Sequence, residues 1–246
     1  MSYVKQYYQS IEAILTRIVD EQEPTLEQAA SLMEEAVNSG RSLYLFGASH
    51  AGIIAEDAFY RAGGLALFNP LFSPALMLNV EPVTLTSQLE RLEGYGNIIL
   101  DSKPVQAGDV VFIHSVSGRN PVAIDLAIEA KARGMHVISL TNLTYSMGVT
   151  SRHSSGKRLF EVSDIIIDNY GEPGDATVSI DSLSQKVAPT STISGSFVIH
   201  SIVLKLIEKL EAKGKDVPIF RSANLDGGDD YNATMMARYK DQIHYM

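Results

Sequence analysis

Apolar residues recur at two spacings along this chain of 246 residues. Over residues 1–39 the spacing is helical: Tyr8, Ile11, Ile14, Leu15 and Ile18 fall on one face. Glu23-Pro24-Thr25 interrupts the pattern, and Thr25 with Gln28 has the form of a capping box. A break is therefore predicted there, with a second helix running to Asn38 and stopping at Gly40. Beyond Gly40, short β-rich runs alternate with helical ones. Strands are predicted over residues 41–46, 65–69, 97–101, 109–114, 135–141 and 162–168. Helices are predicted over 53–61, 86–93, 121–133 and 192–213. Residues 70–82, with Pro70, Pro74 and Pro82, read as a long apolar loop suited to a ligand or interface role. Residues 144–159 and 169–187 read as loops, and the tail 222–246 starts acidic and glycine-rich and ends helical. This alternation predicts a parallel sheet covered on both faces.

Ligands of such sheets sit beyond the carboxyl ends of the strands. One strand end stands out: Val110-Val111-Phe112-Ile113-His114 runs into Ser115-Val116-Ser117-Gly118-Arg119-Asn120-Pro121, and a helical pattern starts at Val122. The first N–H groups of a helix lack helical partners, and its dipole places roughly half a positive charge there. Ser115, Ser117 and Asn120 add side-chain hydrogen bonds, Gly118 permits close backbone approach, and Pro121 suits a first helical turn. The segment reads either as a phosphate cradle or as an ordinary, well-capped β-to-α turn. A second loop, Gly47-Ala48-Ser49-His50, ends the strand before it. Neighbouring strands would bring both loops to one pocket, which favours the cradle. Neither loop has the Gly-x-Gly-x-x-Gly spacing of a dinucleotide site.

A formal net charge of −9 argues against nucleic acid and anionic membranes as partners. The chain has no cysteine, which excludes disulfides, thiolate chemistry and cysteine zinc sites. No apolar run approaches the ~20 residues of a membrane span. The first ten residues lack the apolar core of a signal peptide. A cytoplasmic protein is expected.

Phe46-Gly47-Ala48-Ser49-His50 is followed by Glu56-Asp57-Ala58-Phe59-Tyr60-Arg61-Ala62-Gly63-Gly64. After the 115–120 loop come Ser154-Ser155-Gly156-Lys157-Arg158-Leu159, Pro189-Thr190-Ser191-Thr192 and Ser222-Ala223-Asn224-Leu225-Asp226-Gly227-Gly228-Asp229. Together these segments resemble the SIS (sugar isomerase) domain of phosphosugar isomerases and phosphosugar-binding regulators. The branch is bacterial and similar to phosphoheptose isomerases. The resemblance implies an α/β fold, a three-layer α-β-α sandwich on a five-stranded parallel sheet with an N-terminal helical arm used in oligomers. One SIS domain over residues 1–246 is expected, with the arm at 1–39, the core at 40–213 and the tail at 214–246. It implies phosphate held by Ser115, Ser117 and the Asn120 position, where these proteins usually carry Ser or Thr. The serine often found in their first loop falls near Ala51 here.

Aldose–ketose isomerisation moves a proton between adjacent sugar carbons and needs a base and an acid. His200 precedes Leu206-Ile207-Glu208 much as a catalytic histidine does in phosphoheptose isomerases. It reads as base or acid, or as a helix-face histidine at a subunit interface. Their catalytic glutamate aligns near Arg61, so Glu56, Glu90 or Glu93 would have to substitute, from this chain or a neighbour. Glu56 and Glu93 are the catalytic candidates carried forward beside His200; each also reads as a surface carboxylate. Gly47, Ser49 and His50 are candidates for substrate contact, and Gly118 and Arg119 for the phosphate. Asp226, Asp229 and Asp230 miss the EF-hand spacing, and nothing requires a metal or other cofactor. His136 reads as structural. The function expected is a phosphosugar isomerase acting by proton transfer, as a dimer or tetramer. The alternatives are a non-catalytic phosphosugar sensor working through a protein partner, and a phosphosugar lyase or deglycase on the same fold.

Overall fold

Strands buried on both faces are largely apolar, and side-chain alternation then decides which layer each residue joins. The central strands β1 (Leu43–Gly47), β3 (Val110–His114) and β4 (His136–Thr141) follow this rule, with His114, Ser139 and Thr141 as buried polar exceptions, and β2 (Phe68–Pro70) and β5 (Ile165–Asp168) lie at the edges. In the computed structural model, which describes residues 2–246, they form a parallel five-stranded sheet in the order β2-β1-β3-β4-β5. Leu43, Leu45, Val110, Phe112, Ile138 and Leu140 face one layer. That layer is made by α1 (Tyr3–Asn38), α2 (Ile53–Ala58) and α7 (Ser191–Ala212). Tyr44, Phe46, Val111, Ile113 and Val137 face the other, made by α4 (Tyr95–Asp101) and α5 (Pro121–Ala132). The three-layer α/β sandwich is the architecture expected.

α1 is a single helix, and the predicted break at Pro24 is absent. A proline inside a helix costs ~3 kcal/mol. Packing outweighs it: Ile18, Leu26 and Met33 on either side of Pro24 are at most 2% exposed in the core shared with α7. Each such side chain contributes ~1.5–3 kcal/mol. Lys205 and Lys209 of α7 also pair with Glu23 and Glu27.

The strand expected over residues 97–101 is instead the helix α4. Gly96 explains the difference, because it lets α4 touch α5 backbone to backbone. A Cβ there would come within 2.7 Å of Leu126 N. Smaller elements fill segments that read as loops: α3 (Thr84–Leu89), α6 (Leu143–Met147), and the antiparallel pair β6 (Ala176–Val178) and β7 (Val187–Pro189). The tail forms α8 (Gly228–Arg238) and then runs along the edge strand β2. There Asn69 donates through Nδ2 to the Gln242 carbonyl (2.8 Å) and accepts from His244 N (2.6 Å).

Replacing Pro24, which is exposed, by Ala restores a helical N–H without touching the core. Pro24→Ala is expected to stabilise the protein by about 1–3 kcal/mol, after the entropy it returns to the unfolded chain. A denaturant midpoint no higher than the parent's would show that the helix carries no such penalty.

Candidate functional site

β1 and β3 lie side by side at the point where the strand order reverses, and Gly47 pairs in register with His114. The chain leaves both strands at this level, so the two loops singled out in the sequence emerge next to each other. Gly47 permits an immediate turn: a Cβ there would run into the Ala51 carbonyl. Ser49, at φ 56°, starts a short 3-10 turn, Ser49–Gly52, ahead of α2.

A cleft of about 240 Å³ opens between these loops. It is lined by Ser49 and His50 from the first loop and by Ser115, Ser117 and Asn120 from the second. His114, Glu90, Tyr145 and Asp175 complete its polar wall. Ser115 N donates to Leu140 O. Among the described residues, the next backbone N–H groups, from Val116 to Asn120, have no acceptor in the chain. The hydroxyls of Ser115 and Ser117 make no hydrogen bond either. With the N-terminus of α5 behind them, these unpaired donors are of the kind that suits an anion.

The loop is braced from outside the cleft. Gly118, at φ 59°, sits so tightly that a Cβ would come within 2.8 Å of Ser146 Oγ, and its carbonyl accepts from Leu159 N. Arg119 does not line the cleft; its Nε donates to Thr150 O (2.9 Å). Asn120 lines it, yet its side chain is engaged at both ends. Its Oδ1 accepts from Arg152 Nη1 (2.8 Å), and its amide meets the Glu90 carboxyl. Burial raises the Glu90 pKa above the ordinary glutamate value, against the pull of Asn120, Arg91 and Arg152. Burial, with the charges of Arg119 and Arg91, lowers that of Arg152.

The remaining sequence candidates lie elsewhere. Glu56 is exposed on α2. Glu93 accepts from Ser154 N (2.7 Å) and Ser154 Oγ (2.6 Å), pinning the 153–155 turn. His200 lies outside the cleft lining, on α7, with Nε2 3.0 Å from Asp57 Oδ2. Burial pushes the Asp57 carboxyl up, but hydrogen bonds from His200 and Ser196 and the Arg61 charge bring it below its usual range. Gly47 shapes the first loop without lining the cleft.

Sequence reasoning passed over His114, Asp175 and Tyr145. His114 closes an apolar strand, so nothing local distinguishes it from a core residue. Asp175 and Tyr145 come from segments that read as loops in the sequence, although Tyr145 lies on α6. Among the described residues, no group of three or more His, Asp or Glu side chains could hold a metal ion, and no helix is long and apolar enough to cross a membrane.

Residues 6–142 match the SIS domain. The chain belongs to the SIS domain family. Its relatives include UPF0309 proteins of Shouchella clausii, 75% identical, and Oceanobacillus iheyensis, 70% identical, each aligned over all 246 residues of both chains. Among solved structures, a phosphoheptose isomerase from Francisella tularensis superposes with a TM-score of 0.56 at 16% identity, covering 83% of this chain and 96% of its own. One from Neisseria gonorrhoeae gives 0.55 at 16% identity, covering 83% and 97%. At this identity the likeness is one of fold. The SIS match takes in both cleft loops, Glu90 and His114; Tyr145, Asp175 and His200 of this SIS protein lie beyond it.

His114 is 1% exposed, and burial brings its imidazole from 6.5 down to about 4. The unfolded chain takes up that proton near pH 6.5 and the folded protein only near pH 4, so stability is lost as pH falls through this window. The loss from this residue is roughly 3 kcal/mol. Urea unfolding at both ends of the window should show it in the parent and not in His114→Phe. Parallel pH dependence in the two would disprove it.

Proposed function

We propose that this protein binds a phosphorylated sugar, with the phosphate over the 115–120 turn, and interconverts its aldose and ketose forms by proton transfer. One observation carries the reading. Unpaired backbone N–H groups and two free serine hydroxyls of the 115–120 turn lie at a cleft by the N-terminus of α5. Such a donor set suits a phosphate group. Phosphoheptose isomerases share the fold, which favours a sugar as the rest of the ligand.

The chemistry needs a carboxylate and a second proton-transfer group. Glu90 lines the cleft, and its raised pKa suits a base working nearer neutrality. His200, oriented by Asp57, is the second group. It does not line the cleft of its own chain, so its role calls for a neighbouring copy, as would any role for Glu56 or Glu93. Ile193, His200 and Leu204 share one face of α7, and Ile193 and Leu204 are exposed there. That stripe fits an interface in a dimer or tetramer. The sensor reading draws on the same fact, since the His200–Asp57 pair lies outside the cleft of its own chain.

Thermal shift and calorimetry with a panel of sugar phosphates, each beside its unphosphorylated sugar, test the binding. A phosphate-dependent shift is expected. Ser117→Ala should weaken the best ligand by about ten-fold, the value of one lost hydrogen bond to a charged group. Undiminished binding would remove the serine from the cradle. Proton exchange from solvent into the bound sugar separates catalyst from sensor. The parent should exchange, and His200→Ala should slow exchange by ~10²–10⁴-fold. Unchanged exchange in His200→Ala would take His200 out of the chemistry, and no exchange in the parent would leave the sensor.

A further inference from the structure

His114 presents an atom that the fold leaves without a partner. Its Nδ1 lies 3.1 Å from the Ala51 carbonyl oxygen. A carbonyl only accepts, so Nδ1 carries the proton and Nε2 is left as a bare lone pair. Nε2 is buried and has no hydrogen-bond partner. Buried polar atoms of folded proteins are overwhelmingly paired, and His114 is one of the residues that line the cleft, which makes a ligand held there a candidate partner for this atom.

The surroundings fix the ring in this state. Gly195 of α7 leaves room for it: a Cβ there would come within 2.8 Å of Ile54 Cδ1 and 3.5 Å of His114 Cε1. Burial holds the imidazole neutral above about pH 4, so Nε2 accepts a proton bond and does not act as a cation. A phosphate dianion has no proton to offer it. The strand pleat makes the same division. Phe112 and Val110 face the α7 layer, and His114 follows them, while Ser115 turns toward α5. His114 and the Ser115 turn therefore belong to opposite faces of one strand end.

We propose that His114 reads the sugar body: its Nε2 accepts a hydrogen bond from a ligand hydroxyl, and the cleft thereby selects phosphorylated polyols over inorganic phosphate and over the analogue lacking that hydroxyl. This rests on the phosphosugar reading above. It makes His114 a specificity residue rather than part of the phosphate cradle.

Histidine-labelled parent protein gives the first result without any ligand. Long-range proton–nitrogen correlation should show His114 as the Nδ1–H tautomer, with Nε2 unprotonated and unmoved between pH 5.5 and 8. A proton on Nε2 overturns the proposal. Calorimetry then compares inorganic phosphate, the best sugar phosphate of the panel and its monodeoxy analogues. His114→Phe should lose ten-fold or more on the sugar phosphate and stay within two-fold on inorganic phosphate, and His114→Gln, which keeps an acceptor, should recover part of the loss. Ser117→Ala should weaken both ligands. Equal losses on both ligands in His114→Phe, or none, refute His114 as the reader. Should His114→Phe not fold, the parent decides alone. One deoxy analogue should bind ten-fold weaker and leave the Nε2 resonance where the sugar phosphate moves it; a resonance unmoved by every sugar phosphate that binds refutes the proposal. A parent that takes up neither inorganic phosphate nor any sugar phosphate overturns the phosphosugar reading itself, an outcome distinct from failure of His114 alone.

Discussion

Parallel pairing of β1 with β3 is the constraint on which the site depends. The register sets Gly47 opposite His114, so two chain segments far apart in sequence leave the sheet at one level and on one side. Neither loop encloses a cleft by itself. The first supplies a tight turn made possible by a glycine where a side chain would meet the Ala51 carbonyl. The second supplies backbone donors that no strand or helix consumes. A one-residue slip between the strands would turn every core side chain to the wrong layer, so the packing that stabilises the sheet also fixes the site.

The donor loop stays open because its supports lie behind it. Asp125 is 6% exposed, accepts from Gly94 N (2.6 Å) and pairs with His153 (2.8 Å). Glu93 holds the next residue, Ser154, and Arg152 N donates to the Arg119 carbonyl. The start of α5, the end of the α3 segment and the 150s turn thus form one hydrogen-bonded unit. The buried Asp125 carboxylate makes the strongest of these bonds, since charged hydrogen bonds exceed neutral ones and are costly to break singly. The side chains that rigidify this wall have their hydrogen bonds satisfied among themselves, whereas the Ser115 and Ser117 hydroxyls at the cleft make none. That division separates supporting residues from ligand-facing ones more sharply than residue type does.

Much of this was legible in the sequence because the central strands are largely apolar and the turns after them are not. β3, α5, β4 and α7 fall where periodicity and glycine punctuation put them. The misreadings have specific causes. Pro24 is a local signal overruled by a long-range core between α1 and α7. The apolar run after Gly96 is too short for its period to tell strand from helix, and only the partner α5 decides. β6 and β7 are three residues each, too short to show a period, and form by pairing across a loop. In the site, Ser115, Ser117 and Asn120 were visible from their place between a strand and a helix. Glu90 could not be told from Glu93 by sequence, since the two differ only in which way the end of α3 turns them.

The tail's grip on β2 has a consequence for how the chain comes into being. Asn69 is completed by Gln242, which lies 173 residues further on, and Tyr245 closes on the Ala66 carbonyl from the same distant end. During synthesis from the N-terminus, the edge strand must therefore wait for residues 242–245 before its outer side is covered. Through that interval it offers unpaired backbone groups to any other nascent strand nearby. These late residues act as a seal, applied after the strands that frame the cleft have already been made.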